Sequence, residues 1–148
     1  MDYIEFLKKK IELAVDSGFE VDKTRINQAL KPHQADAVAW ALKGGRRALF
    51  ESFGLGKTVQ EIEFCHMAAV HEGGKALIVL PLGVKQEFTQ DAVNILGYER
   101  PKYVRTMQEV KEAKEQILLT NYERVRDGDI DPSYFAATSL DSSGKLGI

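Results

Sequence analysis

Residues 46–58 read RRALFESFGLGKT, a short apolar segment that runs into a glycine-rich turn and then into a helix-forming stretch. Arg46 to Ser52 has the length and apolar content of a strand, and the turn Phe53 to Gly56 follows it. From Lys57 to about His71, the residues Val59, Ile62, Cys65, His66, Ala69 and Val70 recur at helical spacing. A strand, a glycine turn and a helix in that order suit the holding of a polyphosphate. Backbone N–H groups converge on phosphate oxygens only where side chains do not intrude, and Gly54 and Gly56 provide that freedom on either side of Leu55. The helix beginning at Lys57 adds its positive end. The Lys57 ammonium can reach the β- and γ-phosphates, and the Thr58 hydroxyl can ligate magnesium. Glu51 stands where the general G-x-x-x-x-G-K-[ST] pattern has its first glycine. The competing reading is a plain glycine turn before a helix with a surface lysine. A G-x-G-K-T string arises by chance in roughly one chain in several hundred of this size.

The chain outside this stretch fits an alternation of strands and helices. Lys75 to Leu80 (KALIVL) and Gln116 to Thr120 (QILLT) are continuous apolar runs, the pattern of strands buried on both faces. Between them, Val84 to Leu96 reads as a helix, Lys102 to Arg105 as a weak strand and Met107 to Lys114 as a helix; Phe135 to Leu140 (FAATSL) reads as a last strand. This cadence predicts an α/β fold with a central, mostly parallel sheet and crossover helices on both faces. Upstream, Asp2 to Asp16 reads as an amphipathic helix closed by Ser17-Gly18, with Gly18 suited to a left-handed cap. Pro32 opens a second helix that Gly44-Gly45 stops, with Ala35, Val38, Ala39 and Leu42 as its buried stripe.

Composition narrows the function classes. With 148 residues there is room for one sizeable core but not for a complete two-lobe motor. The apolar share of 44% and charged share of 28% are ordinary for a soluble globular domain, and a net charge of -2 gives no overall basic excess for nucleic acid. Residues 1–50 are slightly basic and residues 51–100 slightly acidic. Cys65 is the only cysteine, so neither an internal disulfide nor a cysteine-based zinc site is expected, and a reducing, cytoplasmic setting is. No apolar run is long enough for a membrane span and the charged N-terminus has no export signal, so no membrane partner is expected. His33, His66 and His71 form no ligand spacing, and Trp40 and Tyr122 read as packing anchors.

Leu30-Lys31-Pro32-His33-Gln34 resembles the L-[RK]-P-[YH]-Q motif of superfamily 2 helicases and Swi/Snf-type DNA translocases. Glu51 to Thr58 (ESFGLGKT) is similar to that family's D-E-M-G-L-G-K-T, which also lacks the first glycine. Ala76 to Phe88 (ALIVLPLGVKQEF) looks like its motif Ia, and Ile117 to Val125 (ILLTNYERV) looks like its motif Ib. The likeness is closest to helicase-like proteins of phages and restriction systems. It implies an N-terminal helical extension over 1–29, a RecA-like ATP-binding lobe over 30–141 and a short tail over 142–148. It also implies that Gln34 reads adenine, a role suited to a carboxamide that can pair with N6 and N7. Pro81, Leu82, Thr120 and Asn121 match the positions that contact nucleic-acid backbone, with double-stranded DNA the expected partner of the intact motor. ATP and magnesium are the implied cofactors.

Hydrolysis in this family needs an Asp-Glu pair at a strand end. The matching place here is Ser139-Leu140-Asp141-Ser142-Ser143. Asp141 fits the magnesium position, but Ser142 replaces the glutamate, and an unperturbed serine hydroxyl is no general base near neutrality. A chain cut at this lobe, a shortened gene product and a recruited binding module all fit this ending. Each predicts weak hydrolysis or none without a second helicase lobe, supplied in cis or in trans. Two function classes follow: an ATP/Mg-binding motor lobe, and a non-catalytic nucleotide-binding or protein-interaction module that reuses its surface.

Overall fold

The fold is described from a computed structural model that covers residues 2–5, 18–45 and 57–138. Helix α1 (Pro32–Gly44) starts at a proline whose missing N–H costs nothing in the first turn, and ends at Gly45, whose φ of 77° suits a residue without a Cβ. Helix α2 spans Lys57–Glu72. Strand β1 (Ala76–Leu80) follows, and a 3-10 turn at Leu82–Val84 leads into α3 (Lys85–Asn94). Next come β2 (Lys102–Tyr103), α4 (Met107–Glu112), β3 (Ile117–Asn121), α5 (Tyr122–Arg126) and α6 (Ser133–Thr138).

The three strands form a parallel sheet in the order β1-β3-β2. The register pairs Ala76 with Ile117 and Leu80 with Asn121 on one side of β3, and Lys102 with Leu118 on the other. Every residue of the central strand β3 is buried, which accounts for its unbroken apolar run. Its side chains divide between two cores. Ile117 and Leu119 join Ile78 and Leu80 under α1, α2 and α3, where Val38, Leu42, Ile62 and Ala92 are fully buried. Leu118 faces the other way and packs with Val104, Val110 and Ile130 beneath α4, α5 and α6. Helices therefore cover both faces of a small parallel sheet. Burying each large aliphatic side chain of these cores contributes about 1.5–3 kcal/mol.

The segment before α1 belongs to the same core. Besides the helical residues Tyr3–Glu5, the described part of the expected 1–29 extension holds one 3-10 turn, Lys23–Arg25, and otherwise runs without regular structure. Ile26 and Leu30 are buried against α1 and α2, with Phe19 and Val21 packed beside them. The ring of Phe19 stacks on His71 at 3.7 Å. The rest of the helix expected over Asp2 to Asp16 lies outside the described residues, as does the strand expected over Arg46 to Ser52.

Several expectations are corrected. Phe135 does not open a strand: Ser133–Thr138 is helical, started by Asp131, whose carboxylate accepts the Ser133 N–H at 3.0 Å and the Ser133 hydroxyl at 2.7 Å. The stretch DPSYFAAT thus carries an aspartate cap, a following proline and two alanines, all of which favour a helix. Residues 139–140 of that expected strand lie outside the described residues. Gly18 meets a need for space. Its lack of a side chain matters because a Cβ there would lie 1.6 Å from the Leu42 carbonyl oxygen, where the chain crosses the end of α1. Trp40 and Tyr122 do not anchor the core; they are 46% and 62% exposed. The buried face of α2 also differs from the apolar stripe, since Gln60 and Glu63 are fully buried and Val70 is exposed. A helix enclosed by α1, α3 and the sheet buries more than one stripe.

Candidate functional site

Three groups of residues bear on a site: the first turns of α1 and α2, and the edge of the sheet where β1 and β3 end. Lys57 is the first residue of α2, with an exposed side chain, and the partly buried Thr58 follows it. Both stand in the first turn of a sixteen-residue helix, at its positive end. Gly54, Leu55 and Gly56 lie outside the described residues. One turn into the helix, burial raises the Glu61 carboxyl above its ordinary value, and the Lys57 ammonium opposes that rise. Burial likewise pushes the Cys65 thiol up to about 12, with the Glu61 carboxylate adding to the effect.

Gln34 stands in the first turn of α1, which packs against α2. It is buried, and its Oε1 accepts the Lys31 N–H at 2.8 Å, closing the turn at the helix start. That bond engages the carbonyl side of the carboxamide.

The sheet register brings two of the sequence motifs together. Because Leu80 pairs with Asn121, Pro81-Leu82 and Asn121-Tyr122 leave the sheet side by side at its C-terminal edge. Leu82 is 56% exposed and Pro81 is open to solvent. Asn121 is buried: its Nδ2 donates to Glu123 Oε2 at 2.7 Å, and its Oδ1 accepts the Tyr103 hydroxyl. The Asn121 amide is the main reason that the Glu123 carboxyl lies below its ordinary value. Thr120 is fully buried and its hydroxyl donates to the Val104 carbonyl at 2.9 Å, so its side chain is committed to the sheet. Asp141 and Ser142 lie outside the described residues.

A polar network that the apolar pattern gave no reason to expect is centred on Glu63 of α2. The buried Glu63 accepts the Asn27 N–H at 2.6 Å through Oε2 and the Tyr98 hydroxyl through Oε1. Asn27 Nδ2 donates to the Leu96 carbonyl at 2.7 Å, and Tyr98 stacks on His66 at 4.0 Å. The network ties the segment before α1 and the turn after α3 to α2.

No cluster of histidine, cysteine and acidic side chains that could hold a metal is present among the described residues, and no helix there is long and apolar enough to cross a membrane. No family model and no curated protein matches the chain.

Proposed function

We propose that the chain binds ATP and magnesium as the first RecA-like lobe of a superfamily 2 DNA helicase or translocase. The observation that carries the reading is helix α2 over Lys57–Glu72, so that the lysine and threonine that follow Gly54-Leu55-Gly56 in the sequence occupy the first turn of a long helix. Lys57 would grip the β- and γ-phosphates, Thr58 and Asp141 would hold magnesium, and the amides from Gly54 to Gly56 would surround the phosphates. Gln34, in the first turn of the neighbouring α1, would select adenine. The exposed Pro81 and Leu82, beside Asn121 at the same sheet edge, support the nucleic-acid contact that the motif resemblance implies. Double-stranded DNA and a second helicase lobe are the partners of this reading, and a reducing cytoplasm of a bacterium or phage-infected cell is its setting.

With Ser142 in place of the glutamate, the chain by itself holds nucleotide with little turnover. The same substitution favours the second reading, a non-catalytic module that keeps the nucleotide grip. A thermal-shift experiment with ATP and magnesium tests the common core of both readings. Wild-type protein should melt at a higher temperature with nucleotide, and Lys57→Ala should lose the increase. No increase in the wild type would overturn nucleotide binding. Phosphate release should stay near background, and DNA-stimulated turnover well above it would overturn the lost-base account.

A further inference from the structure

A cleft of about 360 Å³ opens beside β2, between α3 and the segments that lead into β2 and β3. Its volume stands at the lower end of the range of about 300–1,000 Å³ in which small molecules are held. Thr89, Arg100, Lys102 and Glu115 line it, and all four lie outside the helicase-like motifs. Backbone pairing brings them together. Glu99 accepts the Gln116 N–H at 3.0 Å, which sets Arg100 and Glu115 on adjoining segments. The sheet register pairs Lys102 with Leu118, and the buried Pro101 stiffens the backbone between the two cations. Lys85 and Tyr103 complete the wall, with the Lys85 ammonium 4.6 Å from the centre of the Tyr103 ring.

The cleft holds unmatched groups of two kinds. Among the described residues, no carboxylate lies within ion-pair distance of Arg100, Lys102 or Lys85. Glu115 Oε2 is buried and accepts no hydrogen bond, a state whose cost a ligand donor would recover. Thr89 spends its hydroxyl proton on the Lys85 carbonyl at 3.0 Å, so its oxygen offers a ligand only lone pairs. The complement of such a wall is an anion for the cations and hydroxyl donors for the acceptors. Three cations against one carboxylate leave two positive charges over. A zwitterion would leave that excess uncompensated, whereas a phosphomonoester, close to a dianion at neutral pH, matches it.

We infer that this cleft binds a small hydroxylated phosphomonoester, the phosphate of a short polyol. Arg100 and Lys102 take the phosphate, the guanidinium through paired N–H donors and the ammonium as a point charge. A hydroxyl on the carbon chain donates to Glu115 Oε2, and a second donates to Thr89. The cations supply attraction for any phosphate, and the orphan carboxylate oxygen supplies the selection for a hydroxylated one. The site uses neither the phosphate loop nor the rim where β1 and β3 end, so it stands or falls apart from nucleotide binding.

The test is an amide NMR titration of the full chain with glycerol 3-phosphate and, separately, with inorganic phosphate. Glycerol 3-phosphate should shift the amides of Arg100, Lys102 and Glu115. It should bind about tenfold more tightly than inorganic phosphate, the gain from one hydrogen bond to a charged acceptor. Glu115→Ala should abolish that advantage while binding inorganic phosphate no more weakly than the wild type. Arg100→Ala/Lys102→Ala should lose both ligands, and Arg100→Lys/Lys102→Arg should restore them; the spectra of the variants report that each is folded. Lys57→Ala should bind glycerol 3-phosphate as the wild type does, whatever its response to ATP. Equal affinity of the wild type for the two phosphates, or shifts that avoid these three amides, would overturn the inference. So would displacement of glycerol 3-phosphate by a thymidine oligonucleotide at equal phosphate concentration, which would assign the cleft to a strand.

Discussion

The Asn27 backbone N–H donates to Glu63 Oε2 at 2.6 Å, across 36 residues of sequence, and so fastens the segment before α1 to the middle of α2. The other carboxylate oxygen accepts the Tyr98 hydroxyl, which adds the turn after α3 to the same anchor. Glu63→Ala should therefore destabilise the fold by about 2–4 kcal/mol, since two half-buried donors lose their acceptor. Glu63→Gln keeps one carbonyl acceptor and should cost about 1 kcal/mol. Urea unfolding midpoints of the two variants check the ordering, and equal midpoints would mean that the network contributes no more than packing.

Cys65 and Tyr98 both hold their protons more tightly in the fold, Tyr98 through burial and then its bond to Glu63. The unfolded chain ionises these groups near 9.0 and 10.0, while the folded chain keeps them neutral. Above those values the unfolded state carries fewer protons than the native one, so stability must fall as the pH rises. For the cysteine the fall begins near 9.0 and ends near about 12. Urea midpoints should be lower at pH 10.5 than at pH 8 in the wild type (roughly half a unit or more above the unfolded values). Cys65→Ala and Tyr98→Phe should each reduce the difference.

At Gly18 the Leu42 carbonyl oxygen occupies the place where a Cβ would stand. The adjoining Phe19 N–H donates to that same oxygen at 2.9 Å, so the two chains cannot separate without losing the bond. Gly18→Ala should cost about 1–3 kcal/mol. Gly83, with nothing within 4 Å of a built Cβ, is the control: alanine there should leave the melting temperature close to that of the wild type.

Gln34 has a structural task, accepting the Lys31 N–H, and a proposed one, selecting adenine. The two separate by substitution. Gln34→Ala should lose about 0.5–2 kcal/mol of stability with the helix-start bond. Gln34→Glu retains an acceptor for Lys31 but loses the amide donor, so it should keep the helix-start bond and lose any preference for ATP over GTP in thermal shift. A preserved ATP preference in Gln34→Glu would leave the residue with the structural task alone.

The strand QILLT and the helix from Pro32 were legible because burial on both faces, a proline start and a glycine stop each leave a local signature in the residues. KALIVL does form a strand, but it is buried on one face only, through Ala76, Ile78 and Leu80, and Val79 is 44% exposed. Helix α2 over Lys57–Glu72 was legible from its helical spacing. What escaped was decided by distant partners or by competing local signals. Nothing near Glu63 announces that Asn27 and Tyr98 will meet it, and nothing near Gly18 announces the Leu42 carbonyl. At Phe135 the aromatic and β-branched content suggested a strand, while the Asp131 cap and the alanines favoured the helix that forms.

The pairing of Leu80 with Asn121 has a consequence for variation at the sheet edge. Side chains alternate between the two cores along β3, so sliding this strand by one residue would exchange Leu118 and Thr120 for Ile117 and Leu119 on each face. Alignment is thus enforced from behind, by apolar residues that never reach the rim. Pro81, Leu82 and Tyr122 can change identity without disturbing one another's placement, and the rim can acquire new specificities on an unchanged frame.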